Sequence, residues 1–390
     1  MQKLKNVYHL FQAIIANLLY GFPSHRLKVI GVTGTDGKTT TTHLIAHILK
    51  TAGKKVSFVS SVNALIGGIE SDIGFHVTTP SSFALQKLLR RSVDNHDEYF
   101  ILETTSHAID QNRIWGIKYE VGVLTNITHE HLDYHKSYNE YLKVKTELLK
   151  TVKISLINED DESYNYLSQE LKDRSQKYNS KAKSLDQFPS LTMFNKYNYS
   201  AAYTVCKELG LNEGEILAAM KSFVLPKGRL ELVYDEDFKI IIDFAHTPNA
   251  FENLLPEINK KYLKKGNRLI HVFGSAGLRD VTKRPLMGLV SSQYADHIIL
   301  TEEDFRTEKP EEICKQIASG IKNNRPYEVI VNREQAILKA VSMAKKGDVI
   351  VLTGKSHEKS LCRGKVEYPW SEHEAIKKAI EGLQITKNKV

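Results

Sequence analysis

An α/β fold with mostly parallel sheet is predicted by the way this 390-residue chain alternates short apolar runs with longer amphipathic stretches. Two further features divide it. A glycine-rich turn separates the first central apolar run from the amphipathic stretch behind it, and a Pro226-Lys227-Gly228 break precedes a second series of runs. The expected organisation is an N-terminal helix and linker over 1–27, a central domain over 28–227 and a C-terminal domain over 228–390.

Each element has its own reason. Residues 1–20 read as an amphipathic helix with Leu4, Val7, Leu10, Phe11, Ile14 and Leu18 on one face, expected to pack into a core, with membrane association the lesser reading. Apolar runs predict strands at Lys28–Thr33, Val56–Ser60, Tyr99–Leu102, Val121–Thr125 and Ser155–Ile157. The second series is Lys239–Asp243, Leu269–Phe273, His297–Thr301, Glu328–Val331 and Asp348–Thr353. Helical periodicity marks Thr40–Thr51, Tyr138–Thr151, Ser200–Leu209 and Pro310–Asn323. The polar, turn-rich stretch Ser163–Pro189 is expected to be a surface excursion.

Composition narrows the class. With 41% hydrophobic and 26% charged residues, the chain is of ordinary globular make-up, which excludes collagen-like and largely disordered classes. Its three cysteines, Cys206, Cys314 and Cys362, lie far apart without CxxC pairing, so a disulfide scaffold or a cysteine-built zinc site is not expected and a cytoplasmic setting is. The apolar stretch from Leu10 to Phe22 is too short to cross a bilayer. A net charge of +8 is spread among acids rather than gathered in a stripe, which argues against a nucleic-acid partner and suits small anionic substrates.

The chemistry starts at Gly31-Val-Thr-Gly-Thr-Asp-Gly-Lys-Thr-Thr40. A strand, a glycine turn and a helix opening on Lys38-Thr39-Thr40 aim backbone N–H groups at phosphate oxygens, while the helix N-terminus adds positive potential. Lys38 would reach the outer phosphates and the Thr39 hydroxyl would ligate Mg²⁺; a nucleotide and Mg²⁺ are therefore expected. The spacing departs from GxxxxGK[ST], since Val32 holds the first-glycine position. Tyr99–Glu103 is an apolar strand ending in an acid, the layout of a magnesium-binding carboxylate beside such a loop. His129, His131 and His135 follow the strand Val121–Thr125; alone they approximate a dinuclear zinc pattern, but beside the phosphate loop His131 suits a second Mg²⁺.

Taken in order, the motifs resemble those of the Mur ligases, most closely the MurE type. They are GVTGTDGKTTT at 31–41, TTP at 78–80, ETTSHAIDQNR at 103–113, TNITHEHLDYH at 125–135, YLKVK at 141–145 and FNKYN at 194–198. GRLE at 228–231, DFAHTP at 243–248, FGSAGLRDVTKRPLM at 273–287, TEEDFR at 301–306 and GKSHE at 354–358 complete the set. The resemblance implies a P-loop central domain and a Rossmann-like α/β C-terminal domain.

It also implies an ATP-dependent, ADP-forming ligase of peptidoglycan precursor synthesis. Such an enzyme adds meso-diaminopimelate or L-lysine to UDP-N-acetylmuramoyl-L-alanyl-D-glutamate through an acyl phosphate. Catalytic roles would fall to Lys38, Glu103, His131 and Lys145, with Thr39, Glu103, His131 and a carbamylated Lys145 as metal ligands. ATP would contact Gly34, Thr35, Asp36, Gly37, Lys38, Thr39, Thr40, Asn195, Arg229, Asp243 and His246. The muramoyl peptide would meet Thr78, Thr79, Ser106, Gln111 and Arg113, and the incoming amino acid Arg279, Asp304, Arg306, Gly354 and Glu358.

The partners expected are thus the UDP-muramoyl dipeptide and a free amino acid, with no nucleic acid, no membrane insertion and a monomeric chain. Three departures stand out. Few residues precede the first strand, so the family's N-terminal uridine-binding domain is expected to be lacking; Phe305 replaces the proline of a DNPR pattern; and Ser356 replaces the glycine of GKGHE. Alternatives are a pseudomurein-type or folylpolyglutamate ligase with another donor, or a nucleotide-binding partner subunit without catalysis.

Overall fold

Two sheets carry the chain. The computed structural model describes residues 2–71, 78–128, 130 and 132–387, and it divides into the units Met1–Val224 and Leu225–Val390. The first unit contributes β1 (Lys28–Thr33), β2 (Val56–Val59), β3 (Ala64–Ile66), β4 (Ile69–Ser71), β5 (Tyr99–Glu103), β6 (Tyr119–Leu124), β7 (Ile154–Asn158) and β8 (Ser175–Tyr178). They form one sheet in the order β4-β3-β2-β5-β1-β6-β7-β8, parallel from β2 to β8, with β3 and β4 an antiparallel edge.

Strand β1 is buried along nearly its whole length because helices cover both sheet faces. On one face Leu44, Ile45 and Ile48 of the helix Lys38–Thr51 pack with Val205 and Cys206 of the helix Met193–Glu208. On the other, Leu85 and Leu89 of the helix Ser82–Asp94 meet Phe100 and Leu102. The chain enters β5 on one side of β1 and β6 on the other, so the sheet's winding reverses at β1. In such sheets the crevice beyond the strands' carboxyl ends is where ligands bind.

The second unit has β9 (Glu231–Asp235), β10 (Lys239–Asp243), β11 (Leu269–Phe273), β12 (His297–Leu300), β13 (Tyr327–Val329) and β14 (Val349–Thr353), in the order β13-β12-β11-β14-β10-β9. All pairs are parallel except β9 with β10. A separate hairpin joins β15 (Ser360–Arg363) to β16 (Val366–Pro369).

Most predicted strands fall within a residue or two of their positions, and four expectations are corrected. Ser163–Pro189 is not merely a surface excursion: it holds a helix, Tyr164–Leu171, and β8 completes the sheet. Its sequence, Ser-Gln-Lys-Tyr, lacks apolar alternation because an edge strand keeps half its surface in water. The helix at 193–208 starts earlier than its periodicity indicated, and the helix from Pro310 ends at Ala318. The N-terminal helix, Gln2–Tyr20, is present, but Val7, Phe11 and Leu18 face solvent rather than a core.

Candidate functional site

The phosphate loop occupies the reversal point of the first sheet. Gly34 sits at φ +144° and Gly37 at φ +83°, conformations that residues with a Cβ rarely adopt. A Cβ on Gly34 would fall 1.8 Å from Thr125 Oγ1, and one on Gly37 would fall 2.3 Å from Asn198 Oδ1. The loop between them is pinned by the segment that follows β6. Thr35 N–H donates to the Asn126 carbonyl (2.9 Å) and Asp36 N–H to Asn126 Oδ1 (2.8 Å), while the Thr125 hydroxyl donates to the Asp36 carbonyl (2.6 Å). The helix then opens at Lys38, with Thr39 and Thr40 buried in its first turn.

Lys38 Nζ donates back to the Thr35 carbonyl at 2.7 Å, folding its ammonium over the loop. Thr39 lies against Glu103 at the end of β5, its hydroxyl 3.2 and 3.1 Å from the two carboxylate oxygens. The same carboxylate accepts Ser61 N–H at 2.8 Å and the Ser61 hydroxyl at 2.9 Å. An oxygen cluster of Thr39, Ser61 and Glu103 beside a phosphate-type loop is a donor set that hard cations take. The residues present fit a Mg²⁺ ion.

Lys145 projects from the helix Tyr138–Lys150 into the underside of the loop. Its side chain is fully buried, with Nζ donating to the Gly34 carbonyl at 2.7 Å and lying 4.6 Å from the centre of the Tyr141 ring. Desolvation, reinforced by the positive charge of Lys38, holds this amine well below the usual lysine range. Asn195 joins the loop indirectly: it accepts from Asn198 Nδ2 (3.1 Å), whose Oδ1 accepts from the Thr41 hydroxyl (3.2 Å). His131, together with His129, lies outside the described residues.

Around Glu103, the residues expected to hold the muramoyl peptide form a second layer. The Thr78 hydroxyl is 2.9 Å from Ser61 Oγ, and the Thr79 hydroxyl donates to the Glu103 carbonyl at 3.0 Å. Arg113 NH1 donates to the Thr79 carbonyl at 2.5 Å, whereas its buried Nε has no partner among the described residues. Burial, with little relief from nearby Tyr134, lowers the affinity of this guanidinium for its proton. Ser106 bonds His135 Nε2 at 2.9 Å, and Gln111 Nε2 donates to the Tyr134 hydroxyl at 3.4 Å.

In the second unit the expected residues form two groups. Asp243, at the end of β10, accepts Leu230 N–H (2.8 Å) and Ala245 N–H (2.7 Å); the Arg229 guanidinium lies over the Phe244 ring at 4.8 Å; His246 Nδ1 is 2.8 Å from the Phe244 carbonyl. In the other group, the buried Lys355 Nζ bridges the buried Asp304 (2.8 Å) and the half-buried Glu358 (2.5 Å). Those carboxylates outweigh desolvation and raise the lysine's pKa. Arg306 takes φ +51° and donates through NH1 to the Gly277 carbonyl at 2.5 Å. Gly354, at φ +96°, leaves room for Glu303, whose Oε2 would be 2.7 Å from a Cβ there. Arg279 stands apart, exposed on the segment after Gly277.

Sequence reasoning passed over Ser61 and Lys355. Ser61 had a signal, because it follows the apolar run of β2 as Glu103 ends that of β5. Lys355 lay inside GKSHE but without an assigned role. Glu303 is buried, with Oε2 unpartnered among the described residues, and burial raises its pKa.

A phosphate loop at the winding reversal of a parallel sheet, with a carboxylate on the adjoining strand, defines a nucleotide-binding protein. Comparison with known proteins goes further. The Mur ligase middle domain matches residues 32–207, and the Mur ligase glutamate ligase domain matches residues 228–356. The chain belongs to the Mur ligase family. It is 37% identical over 402 aligned positions to the UDP-N-acetylmuramoyl-L-alanyl-D-glutamate--2,6-diaminopimelate ligase 1 of Clostridium acetobutylicum, covering 95% of this chain and 82% of that protein. To the UDP-N-acetylmuramyl-tripeptide synthetase of Borreliella burgdorferi it is 37% identical, covering 96% and 80%. A solved UDP-N-acetylmuramoyl-L-alanyl-D-glutamate--2,6-diaminopimelate ligase structure superposes with a TM-score of 0.59 at 26% identity, covering 92% of this chain and 79% of that one.

Proposed function

We propose that this chain is an ATP-dependent, ADP-forming amide ligase that joins an amino acid, meso-diaminopimelate or L-lysine, to UDP-N-acetylmuramoyl-L-alanyl-D-glutamate. The donor carboxylate attacks the γ-phosphorus of ATP, the bond to the β,γ-bridging oxygen breaks, and ADP leaves. The amino acid's neutral amine then attacks the acyl phosphate carbonyl, phosphate departs and the amine's proton passes to solvent. Direct condensation fails in water near neutral pH because carboxylate and ammonium are both too stable; phosphorylation supplies the leaving group.

The observation that carries this reading is the junction of loop and strand ends in the first unit, where Lys38, Thr39 and Glu103 converge. Backbone N–H groups of residues 34–40 and Lys38 would hold the phosphates, and this positioning and charge neutralisation is most of what phosphoryl transfer asks of a protein. Thr39, Glu103 and His131 would hold Mg²⁺, which would supply charge neutralisation on the phosphate oxygens.

Lys145 is a candidate for carbamylation. Only a neutral amine adds to CO₂, forming an N–C bond and releasing one proton, and burial favours that neutral form. The unpartnered Arg113 Nε suits an anionic group of the donor. In the second unit, Arg306 suits a distal carboxylate of the amino acid and the Asp304–Lys355–Glu358 triad its ammonium end.

The test is phosphate release by the purified protein with ATP, Mg²⁺ and the UDP-muramoyl dipeptide against a panel of amino acids. Release that depends on one amino acid, with the matching mass gain on the dipeptide, is the expected result. A donor that stays inert with every amino acid refutes the assigned substrate. Phosphate release without any donor identifies a plain ATPase instead.

A further inference from the structure

The N-terminal helix Gln2–Tyr20 leaves an apolar face outside. Two asparagines face the protein: Asn17 is fully buried, with Nδ2 donating to the Ala13 and Trp115 carbonyls at 2.8 Å each, and Asn6 Nδ2 donates to Asp110 Oδ2 at 3.0 Å. Small residues, Ala13 and Ala16, complete the inward face. Leu10 and Ile14 are half-buried, but six large apolar side chains point outward. Val7, Tyr8, Phe11, Ile15, Leu18 and Leu19 are between 49% and 68% exposed and recur at helical spacing, so they make one continuous stripe. Scattered exposed leucines need no explanation, but a contiguous stripe along a helix marks an interaction surface.

Charge says which surface. No acidic residue occurs before Asp36, whereas Lys3, Lys5, Arg26 and Lys28 all do. The turn that follows the helix exposes His25 and Arg26, and Trp115, whose carbonyl holds Asn17, is itself 41% exposed. On the neighbouring helix Ser82–Asp94, Lys87 and Arg91 are exposed and the single acid, Asp94, is paired with Arg90 at 2.8 Å. Glu98 and Glu120 are likewise paired, with Lys54 and Lys153. An apolar stripe with aromatic residues and cations that have no acidic partner among the described residues matches an anionic bilayer, where the side chains enter the acyl boundary and the cations meet headgroups. A symmetric contact with a second copy would instead bring this cationic region against itself.

We propose that the outer face of the N-terminal helix docks this protein peripherally on anionic lipid membranes. The helix lies in the interface rather than crossing it, in keeping with the absence, among the described residues, of a helix long and apolar enough to span a bilayer. The inference is independent of the proposed ligase substrate.

The experiment is co-sedimentation of the full chain with vesicles of phosphatidylcholine alone and of phosphatidylcholine mixed with phosphatidylglycerol, at low and high salt. Binding to the mixed vesicles only, weakened by salt, is expected. The double substitution Phe11→Ser with Leu18→Ser should lower the partition coefficient more than about tenfold, with the circular dichroism spectrum unchanged because both side chains lie outside the core. Failure of the wild-type protein to bind anionic vesicles overturns the proposal without recourse to any variant. So does binding that the double substitution leaves intact. A concentration-dependent dimer in lipid-free buffer that the same substitutions abolish also overturns it, and assigns the stripe to self-association.

Discussion

Replacing Gly34 by alanine tests the geometry of the phosphate loop directly. The new methyl would lie 1.8 Å from Thr125 Oγ1 and 3.0 Å from Thr125 Cβ, so the threonine must rotate away or the loop must shift. Rotation breaks the 2.6 Å bond from the Thr125 hydroxyl to the Asp36 carbonyl, at a cost of about 1–3 kcal/mol. Backbone strain at φ +144° adds about 1–3 kcal/mol. The sum predicts a loss of about 2–6 kcal/mol in the first unit, measured by urea denaturation of the full chain followed by probes in that unit.

Because the loop's N–H groups must aim at phosphate, displacement by an ångström should also lower ATP-dependent turnover by about 100-fold. The control is the same substitution in a Thr125→Ala background, where the closest steric partner is gone. There its cost should shrink by about 1–2 kcal/mol, the coupling expected of residues in contact. Equal cost in both backgrounds would refute the close approach. A neutral Gly34→Ala would refute the loop conformation itself.

Three further outcomes follow from the same structure. Lys38→Ala and Glu103→Ala should each abolish acyl phosphate formation, read as trapped acyl phosphate in the absence of amino acid; near-normal turnover in either sinks the assigned nucleotide site. In the second unit, Glu372→Ala strips the fully buried Arg333 of its carboxylate at 2.5 Å and should cost about 3–5 kcal/mol, whereas replacing both partners with methionine should cost far less; differential denaturation of the three chains decides.

His271 is enclosed between Ser291 Oγ (2.9 Å) and Thr353 Oγ1 (3.1 Å), and burial with the nearby Arg333 charge pulls its pKa down to about 3. An unfolded chain therefore binds the extra proton between roughly pH 6.5 and 3, so stability is full above that window and falls as pH drops through it, by at most about 5 kcal/mol. A His271→Gln chain should lose less stability than wild type between pH 7 and 4.5. Parallel losses in the two chains would show that other groups carry the acid sensitivity.

The phosphate loop was legible because its chemistry is local. Gly34, Gly37, Lys38 and Thr39 lie within one short turn, so strand, turn and helix in order were enough to read its conformation. The alternation of apolar runs likewise announced parallel sheets, since strands covered on both faces must be apolar throughout. What escaped was everything set by distant segments. The edge strand β8 pairs with β7 through backbone groups and needs no apolar signature. Ser61 matters because β2 lies beside β5, which brings it to Glu103 from 42 residues away.

Periodicity announced an amphipathic helix at residues 1–20, yet it could not say which face turns inward. Asn17 decides that, because its amide finds the Trp115 carbonyl only in the folded unit and the apolar stripe is then left outside. Lys145 makes the same point at the site. By spacing it is one more lysine on a surface helix, and by tertiary position it is an amine buried under the loop, its pKa pulled well below the usual lysine range by desolvation and by Lys38. Sequence by itself determined the loop, the strands and the residue types available for chemistry, all consequences of short-range backbone preference and hydrophobic pattern. The tertiary structure alone decided burial, and burial sets which of those groups are charged, paired or exposed.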